Sequence, residues 1–507
     1  MKIDKISGAQ LDYTESIQGP HLAKLIFFSG LMLMAGCTRS PQYEISSSLP
    51  EEFSESSESS SSPQKRVIAT DDPWWRSLGD DQLSVLVEEI FSDNLQLGQA
   101  RERVIQMRAI AIQAGSSRWP SLSLELGWSR TKQLNPFSRL SSGSAMGGAA
   151  SSAMPSSFEQ DNFRASLAVS YEVDIWGRIG STTQAAELDA LASESDLKAM
   201  AITVSASAVD VYLQLIEAQN RLSILEGQLR DDEDALSVTL HRFQQGLSPQ
   251  IEVLQQTQQR DRTSSQLPPA QAVISILKRR LAALRGEARL SELTIPRALP
   301  VLPELPEVGL PATVLEARPD IQAVLARVSA ADARVSAAFS ARLPGLRIGA
   351  SGGYQSFELK ELFDDFIWSL TGSLITPLFQ GGRLKAEQSR AEAQLRERIL
   401  ALKERSLLAY HEIEDALVNE RSAVEQLSRV RAQLTSAQSL FESAQRRYLQ
   451  GVGDFLTMLA ARQGLYAGQL AALSAERSAL TSRVQLHRTL GGGWVHKLTQ
   501  SETTNQE

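Results

Sequence analysis

At 507 residues the chain has length for two or three ordinary domains. Asp and Glu outnumber Lys and Arg by 59 to 51, for a net charge of −8, and no basic stripe is interleaved with aromatics, which speaks against a nucleic-acid partner. The apolar share of 42% suits a folded protein, yet past the leader no segment approaches the roughly eighteen consecutive apolar residues of a membrane-spanning helix. If the chain crosses a membrane, it does so by strands.

The leader comes first. Lys24, the apolar run Leu25–Ala35 and the small residue Gly36 have the layout of a secretory signal over residues 1–36. Cys37 is the sole cysteine, so no intrachain disulfide can form. Its place after the cut resembles a bacterial lipobox, in which the thiol is diacylated and the new amino terminus acylated. Several acyl chains anchor stably where one does not. Met34 stands where such motifs usually carry Leu, and Thr38 lacks the acidic character that retains lipoproteins at the inner membrane. The plainer reading is an ordinary cleaved signal with Cys37 left over. Residues 37–70 include the serine-rich, acidic Ser46–Ser62, too poor in apolar groups to offset ordering entropy, and read as a flexible tether.

Folding begins near Asp71-Asp-Pro-Trp-Trp75, and the chain then reads helix, strand, strand, long helix, turn, helix, twice over. The clearest strand runs from Asn162 to Ile175. Phe163, Ala165, Leu167, Val169, Tyr171, Val173 and Ile175 fall on one face, opposite a face carrying Arg164, Glu172 and Asp174. An oily face backed by a wet one suits a strand between lipid and a water-filled interior.

The duplication is visible in the motifs. Arg118-Trp-Pro-Ser-Leu122 and Arg342-Leu-Pro-Gly-Leu346 open strands 224 residues apart. Trp176-Gly-Arg178 is echoed by Gly381-Gly-Arg383, and Arg242-Phe-Gln-Gln-Gly246 by Arg447-Tyr-Leu-Gln-Gly451, both at 205 residues. The difference falls in one hairpin, at the Gly/Ser stretch Ser141–Ser152. The units are 71–295 and 312–494, separated by the proline-rich joint Pro296–Pro311, which is expected to hold no helix, and followed by a polar tail, 495–507. Ile179–Gln245 and Gly382–Gln450 read as helices of roughly 100 Å each at 1.5 Å per residue. Leu427, Leu434, Phe441 and Tyr448 recur every seven residues, with Leu417 and Val424 on a companion seam, the spacing of a coiled coil. Shorter helices are expected over Asp80–Ser117, Gln250–Arg285, Ala312–Ala341 and Phe455–Leu490.

Four strands alone leave unpaired edge groups that cost several kcal/mol each in lipid, so a membrane barrel requires further copies of the chain. The residues alone do not set the number of copies.

Trp74-Trp-Arg-Ser-Leu-Gly-Asp-Asp-Gln-Leu83, Tyr171-Glu-Val-Asp-Ile-Trp-Gly-Arg178, Ala317-Arg-Pro-Asp-Ile321 and Leu490-Gly-Gly-Gly-Trp494 together resemble the signatures of the TolC-like outer membrane efflux factors, specifically the lipoprotein (NodT or OprM-like) branch. The resemblance implies an α+β fold: a homotrimer in which each chain gives four strands to a 12-stranded transmembrane β-barrel, a long coiled α-helical periplasmic barrel and a mixed equatorial domain. It implies residence in the outer membrane of a Gram-negative bacterium, passive conduction of small substrates, a periplasmic adaptor and an inner-membrane transporter of the resistance-nodulation-division (RND) class as partners, and no cofactor beyond the lipid on Cys37. It also puts Arg447, Tyr448, Asp454 and Leu456 at a periplasmic constriction, with Arg242 and Glu252 on the outer turn. A ring of Asp454 would favour cations, and a ring of Leu456 would gate by dewetting. Asp454 reads equally as a helix N-cap, and Arg447 and Tyr448 as coiled-coil surface and core. Ala460 and Glu252 stand where the family often has Asp, which puts a second acidic ring in doubt.

The five histidines, His21, His241, His411, His487 and His496, have no ligand spacing, and the glycine pairs lack the Lys-Ser/Thr of a phosphate loop, so the chain does not read as an enzyme or a metal protein. Two other readings stay open: the outer membrane duct of a type I protein secretion system, and a soluble coiled-coil scaffold. The sequence is silent on the exported substrate.

Overall fold

The computed structural model describes residues 73–134, 157–289, 295–306, 311–492 and 494. Cys37, the serine-rich tether, the Ser141–Ser152 stretch, residues 307–310 of the joint and the tail after Trp494 lie outside them.

A 3-10 turn, Trp74–Leu78, leads into α1 (Asp81–Asp93) and α2 (Leu95–Ser116), then β1 (Ser121–Leu134), β2 (Ser157–Val173), α3 (Arg178–Gln244) and α4 (Gln250–Leu284). Past the joint come α5 (Pro311–Ala317), α6 (Pro319–Ser340), β3 (Gly345–Ser356), β4 (Phe366–Ile375), α7 (Arg383–Leu449) and α8 (Phe455–Leu490). Helices α3 and α7 are both 67 residues long, and α2 and α6 both 22. One stretch of α3 is apolar enough to cross a membrane, but most of it is buried within the protein.

Several boundaries depart from the sequence expectation, each for a local reason. The helix expected over Asp80–Ser117 is two, because the Asn94 side chain accepts from the backbone N–H groups of Gln96 and Leu97, both at 3.0 Å, and caps a new helix. The stretch Ala312–Ala341 likewise divides at Arg318, with Pro319 opening α6. Pro311, expected to lie in a helix-free joint, is the first residue of α5, where its missing N–H has no partner to lose. Ile175 leaves the strand because Asp174 turns to accept from Ile179 N at 3.0 Å and Gly180 N at 2.7 Å, capping α3. Leu427 is buried on the α7 seam, whereas on the companion seam Leu417 is half-buried and Val424 exposed.

The four strands form one antiparallel sheet in the order β1-β2-β3-β4. Its registers align the apolar parity of every strand. Leu124 lies opposite Leu167, Leu167 opposite Gly352, and Gly352 opposite Trp368. One face thus carries Leu122, Leu126, Trp128, Phe163, Leu370 and their neighbours, whereas the other carries Ser121, Glu125, Arg164, Ser351 and Ser369. Both edge strands are exposed along their whole length.

The largest core lies where the two ends of the chain meet. Trp75 is buried between Phe91 (ring centroids 5.6 Å apart) and Trp494 (4.7 Å, edge to face). Trp74 stacks on His487 at 5.3 Å. Burial holds the His487 imidazole down at about 4, with Arg483 adding to the shift. Beneath them Leu83, Leu86 and Ile90 pack on Tyr212, Leu213 and Ile216 of α3 and on Leu480 and Val484 of α8.

A charged knot closes the same region. Buried Arg318 donates to Asp320 (2.8 and 3.1 Å), Glu412 (2.7 Å) and the Thr489 carbonyl (2.9 Å), while Arg405 bonds Asp320 and Glu412 at 2.9 Å each. Burial alone would raise the Asp320 carboxyl; Arg318 and Arg405 hold it instead at about 2. Its contribution to stability is therefore complete above the ordinary carboxylate range and is lost as pH falls through about 2. Replacing Arg318 with Ala is expected to cost roughly 1–3 kcal/mol, because it removes the buried guanidinium that half-buried Asp320, half-buried Glu412 and the Thr489 carbonyl share. Lys is expected to rescue little, since it lacks the planar fork. Thermal unfolding followed by circular dichroism measures both; an unshifted midpoint for the Ala variant contradicts this account.

Candidate functional site

The candidate site lies at the far ends of the long helices, where α3 returns as α4 and α7 returns as α8. Both turns have one backbone design. Gly246 (φ 72°) and Gly451 (φ 76°) adopt the left-handed conformation that glycine accepts most readily. Leu247 N donates to Arg242 O at 2.8 Å and Gly246 N to Phe243 O at 2.9 Å. In the second turn Val452 N donates to Arg447 O at 3.1 Å and Gly451 N to Tyr448 O at 3.0 Å. This pairing satisfies the last carbonyls of each helix.

The side chains then diverge. The Arg242 guanidinium lies 5.2 Å from the centre of the Tyr448 ring, a cation–π contact between the two turns. Tyr448 also packs on Phe455 at 5.8 Å, and both belong to a small core with Ala444, Met458 and Leu459. Arg242 Nε and Glu252 Oε2 are buried without a hydrogen-bond partner among the described residues. Burial raises the Glu252 carboxyl above its usual range; Arg242 opposes that shift and Asp454 reinforces it. Arg242, Glu252, Tyr448 and Asp454 thus form one electrostatic group.

Asp454 caps α8, with Oδ2 accepting from Thr457 N at 3.1 Å. The capping geometry is therefore real, and Oδ1 stays outside it. Leu456 is 54% exposed on the next turn. Arg447 is exposed and stands apart from the Arg242 cluster, which its echo in the sequence does not indicate. Leu247, Ile251 and Val452 are exposed apolar groups on the same two turns.

Two to three helical turns above lies a polar cluster that sequence patterning misses. Asp232 is fully buried and meets Arg462 at 3.1 Å. Thr263 Oγ1 donates to Asp232 at 2.7 Å, and Arg462 donates to buried Gln256 at 2.8 Å. This cluster ties α8 to the α3–α4 pair. Asp232 sits in the acidic run Asp231-Asp-Glu-Asp234, which reads as a solvated face, and its partner is 230 residues away. Nothing in the local pattern around Arg462 marks it as that partner.

The sequence model for outer membrane efflux proteins matches residues 86–287 and 310–492. The pyoverdine export outer membrane protein OpmQ of Pseudomonas putida is 31% identical over 434 residues, 85% of this chain and 90% of that one. The solvent efflux pump outer membrane protein SrpC of Pseudomonas putida is 27% identical over 482 residues, 92% and 97% of the two chains. The Campylobacter jejuni CmeC outer membrane channel shares the fold, with a TM-score of 0.79 over 93% of this chain and 99% of that one, at 22% identity.

Because its folded-state pKa is raised, Glu252 makes the folded protein gain stability as pH falls through that raised value, and lose it as the carboxylate forms. Glu252→Gln is expected to match the parent in acid and to unfold at a higher temperature than the parent at pH 8. A less stable Gln variant at pH 8 refutes the assignment. Arg242→Ala removes the contact that joins the turns, and its single-channel conductance in planar bilayers is expected to rise severalfold; equal conductance counts against a role at the tip.

Proposed function

This chain belongs to the outer membrane efflux protein family, and from that premise we propose that it is the homotrimeric outer membrane duct of a tripartite efflux system. The observation that carries this reading is the sheet. Its four strands share one apolar face, and both edges are unpaired. In lipid such an edge is too costly to leave open, and only closure removes it. Three copies give a barrel of twelve strands, with its serine- and glycine-rich face inward around water. The long helices continue the wall into the periplasm, where the tip meets a periplasmic adaptor and an inner-membrane transporter of the RND class. Energy comes from that transporter, and the duct conducts passively.

Within this reading the two turns form the gate. The cation–π contact between Arg242 and Tyr448 holds them together, Asp454 sets a carboxylate beside the opening, and Leu456 supplies an apolar collar. Arg447 is the exposed cation of the inner turn. One relative is named for pyoverdine export and another for solvent efflux, so cargo choice in this scheme rests with the pump. Cys37 carries the lipid that tethers each copy to the outer membrane.

The membrane-facing assignment separates this reading from a soluble scaffold. Leu124 lies on the apolar face and Ser123 on the polar one. Leu124→Arg is expected to cost roughly 2–4 kcal/mol near the bilayer midplane and to deplete the protein from outer membranes, whereas Ser123→Arg is expected to leave its amount unchanged. Equal tolerance of both, or extraction of the parent by salt alone, defeats the duct. Labelled palmitate is expected to enter the parent and not Cys37→Ala; retained label defeats the lipid assignment.

A further inference from the structure

Just below the sheet the wall of the protein curves around a charged chamber. Helices α2, α3, α6 and α7 stand side by side in the order of the strands above them. A cavity of about 800 Å³ is lined both by Ile110 and Ala114 of α2 and by Arg383 and Glu387 of α7, the two outermost of the four. Only the concave side of a curved wall is reached from both. From the sheet the same cavity takes Glu172 and Arg347, which belong to the polar face. On the duct reading, on which this inference rests, the chamber is therefore lumen. A second space of about 380 Å³ continues it and shares Asp189, Arg334 and Gln394.

Arginine is in excess there, and the excess has a pattern. Glu172 accepts from Arg178 at 2.6 Å and also meets Arg347 at 3.5 Å. Glu387 meets Arg383 and Arg390, both at 3.5 Å. Each carboxylate thus serves two guanidinium groups, which leaves these two groups with two surplus positive charges per copy. On α7 Arg383, Glu387, Arg390, Gln394 and Arg398 recur at steps of three and four, so they share one helix face, and all line one or other space. By contrast Arg334–Asp189 and Arg327–Asp196 are matched one to one.

The fold employs one arginine of each pair. Arg178 reaches Glu172 through two N–H groups, and Arg383 is tied to Gln380 at 2.6 Å where α7 begins. Arg347 and Arg390 line the chamber with side chains 64% and 67% exposed. Like charges gathered in a cleft with low-dielectric walls focus a positive potential, and the planar fork of arginine matches the paired oxygens of carboxylates and phosphates. We propose that the chamber is a transit site for multivalent oxyanions, which holds carboxylate- or phosphate-bearing cargo between the helical shaft and the β-barrel. Arginine rings favour anions in other pores for the same reason. Asp454 and Glu252 lie at the other end of the long helices, roughly 100 Å away at 1.5 Å per residue, far beyond the ~8 Å over which salt screens charge. The two ends therefore act on cargo separately: the pump chooses what enters, and the chamber acts on its charge on the way out.

Citrate, a small tricarboxylate, is the probe. Titration calorimetry of the purified trimer at low salt is expected to show citrate binding that pyrophosphate displaces. Arg347→Gln with Arg390→Gln is expected to weaken it at least tenfold, and either alone about threefold, while the thermal midpoint matches the parent's because each carboxylate keeps one arginine. Lys385→Gln with Lys403→Gln removes as much charge from exposed α7 residues that line neither space, and is expected to change the affinity less than about twofold. No citrate binding by a parent that isolates as a trimer, citrate that pyrophosphate does not displace, or equal weakening by the lysine and arginine variants overturns the anion site and leaves the duct standing. A parent that is monomeric in both membrane and detergent overturns the duct, and the chamber with it.

Discussion

An antiparallel sheet with one oily face and two open edges is a structure that cannot be finished by the chain that makes it. In water the oily face needs cover; in lipid the edges need partners. Each strand is amphipathic on its own, but the decisive fact is that three successive registers keep the same parity, so that Leu124, Leu167, Gly352 and Trp368 form a continuous row across the sheet. A slip of one residue at any pairing would turn a strand's apolar groups to the polar side. The helices below inherit this arrangement, because α3 and α7 each start within ten residues of the end of a strand.

The motifs that carry the family resemblance turn out to be fasteners rather than working parts. Asp80 caps α1 through Gln82 N and Leu83 N and also accepts from Tyr212. Glu172 holds Arg178 at 2.6 Å, Asp174 caps α3, and Trp176 crosses to Pro344. Arg318 and Asp320 bind α6 to α7 and α8, and Trp494 fills the core beneath Trp75. All sit at joints where the chain changes direction or where its two ends meet. Joints tolerate few substitutions, because each side chain satisfies several backbone groups at once, whereas a duct wall can be built from many sequences with the same periodicity.

That distinction explains what was legible in the sequence. Strands and long helices announce themselves through periods of two and of three and a half, and α8 runs from Phe455 to Leu490 as its pattern indicates. Interruptions were harder to read. Asn94 accepts from two backbone N–H groups and Pro311 lacks one that would have no partner, and no periodicity records either. The tip residues Arg242, Glu252, Tyr448 and Asp454 converge, but Arg447 does not, since the two turns share a backbone and differ in what their side chains find nearby. The Asp232–Arg462 pair was out of reach because a buried ion pair between distant helices leaves no trace in local pattern.

At the tip, single residues serve two neighbours at once. Asp454 commits Oδ2 to the start of α8, and this fixes where its other oxygen and the neighbouring Leu456 stand. Tyr448 packs in the small core with Phe455 and offers its face to Arg242. A residue anchored in this way has little conformational entropy left to lose, because the fold has already confined it. Higher up, the buried Asp232–Arg462 cluster ties α8 to the α3–α4 pair and is costly to break. Separation of the turns is therefore cheapest below that cluster, where exposed Leu247, Ile251 and Val452 provide little packing to resist it.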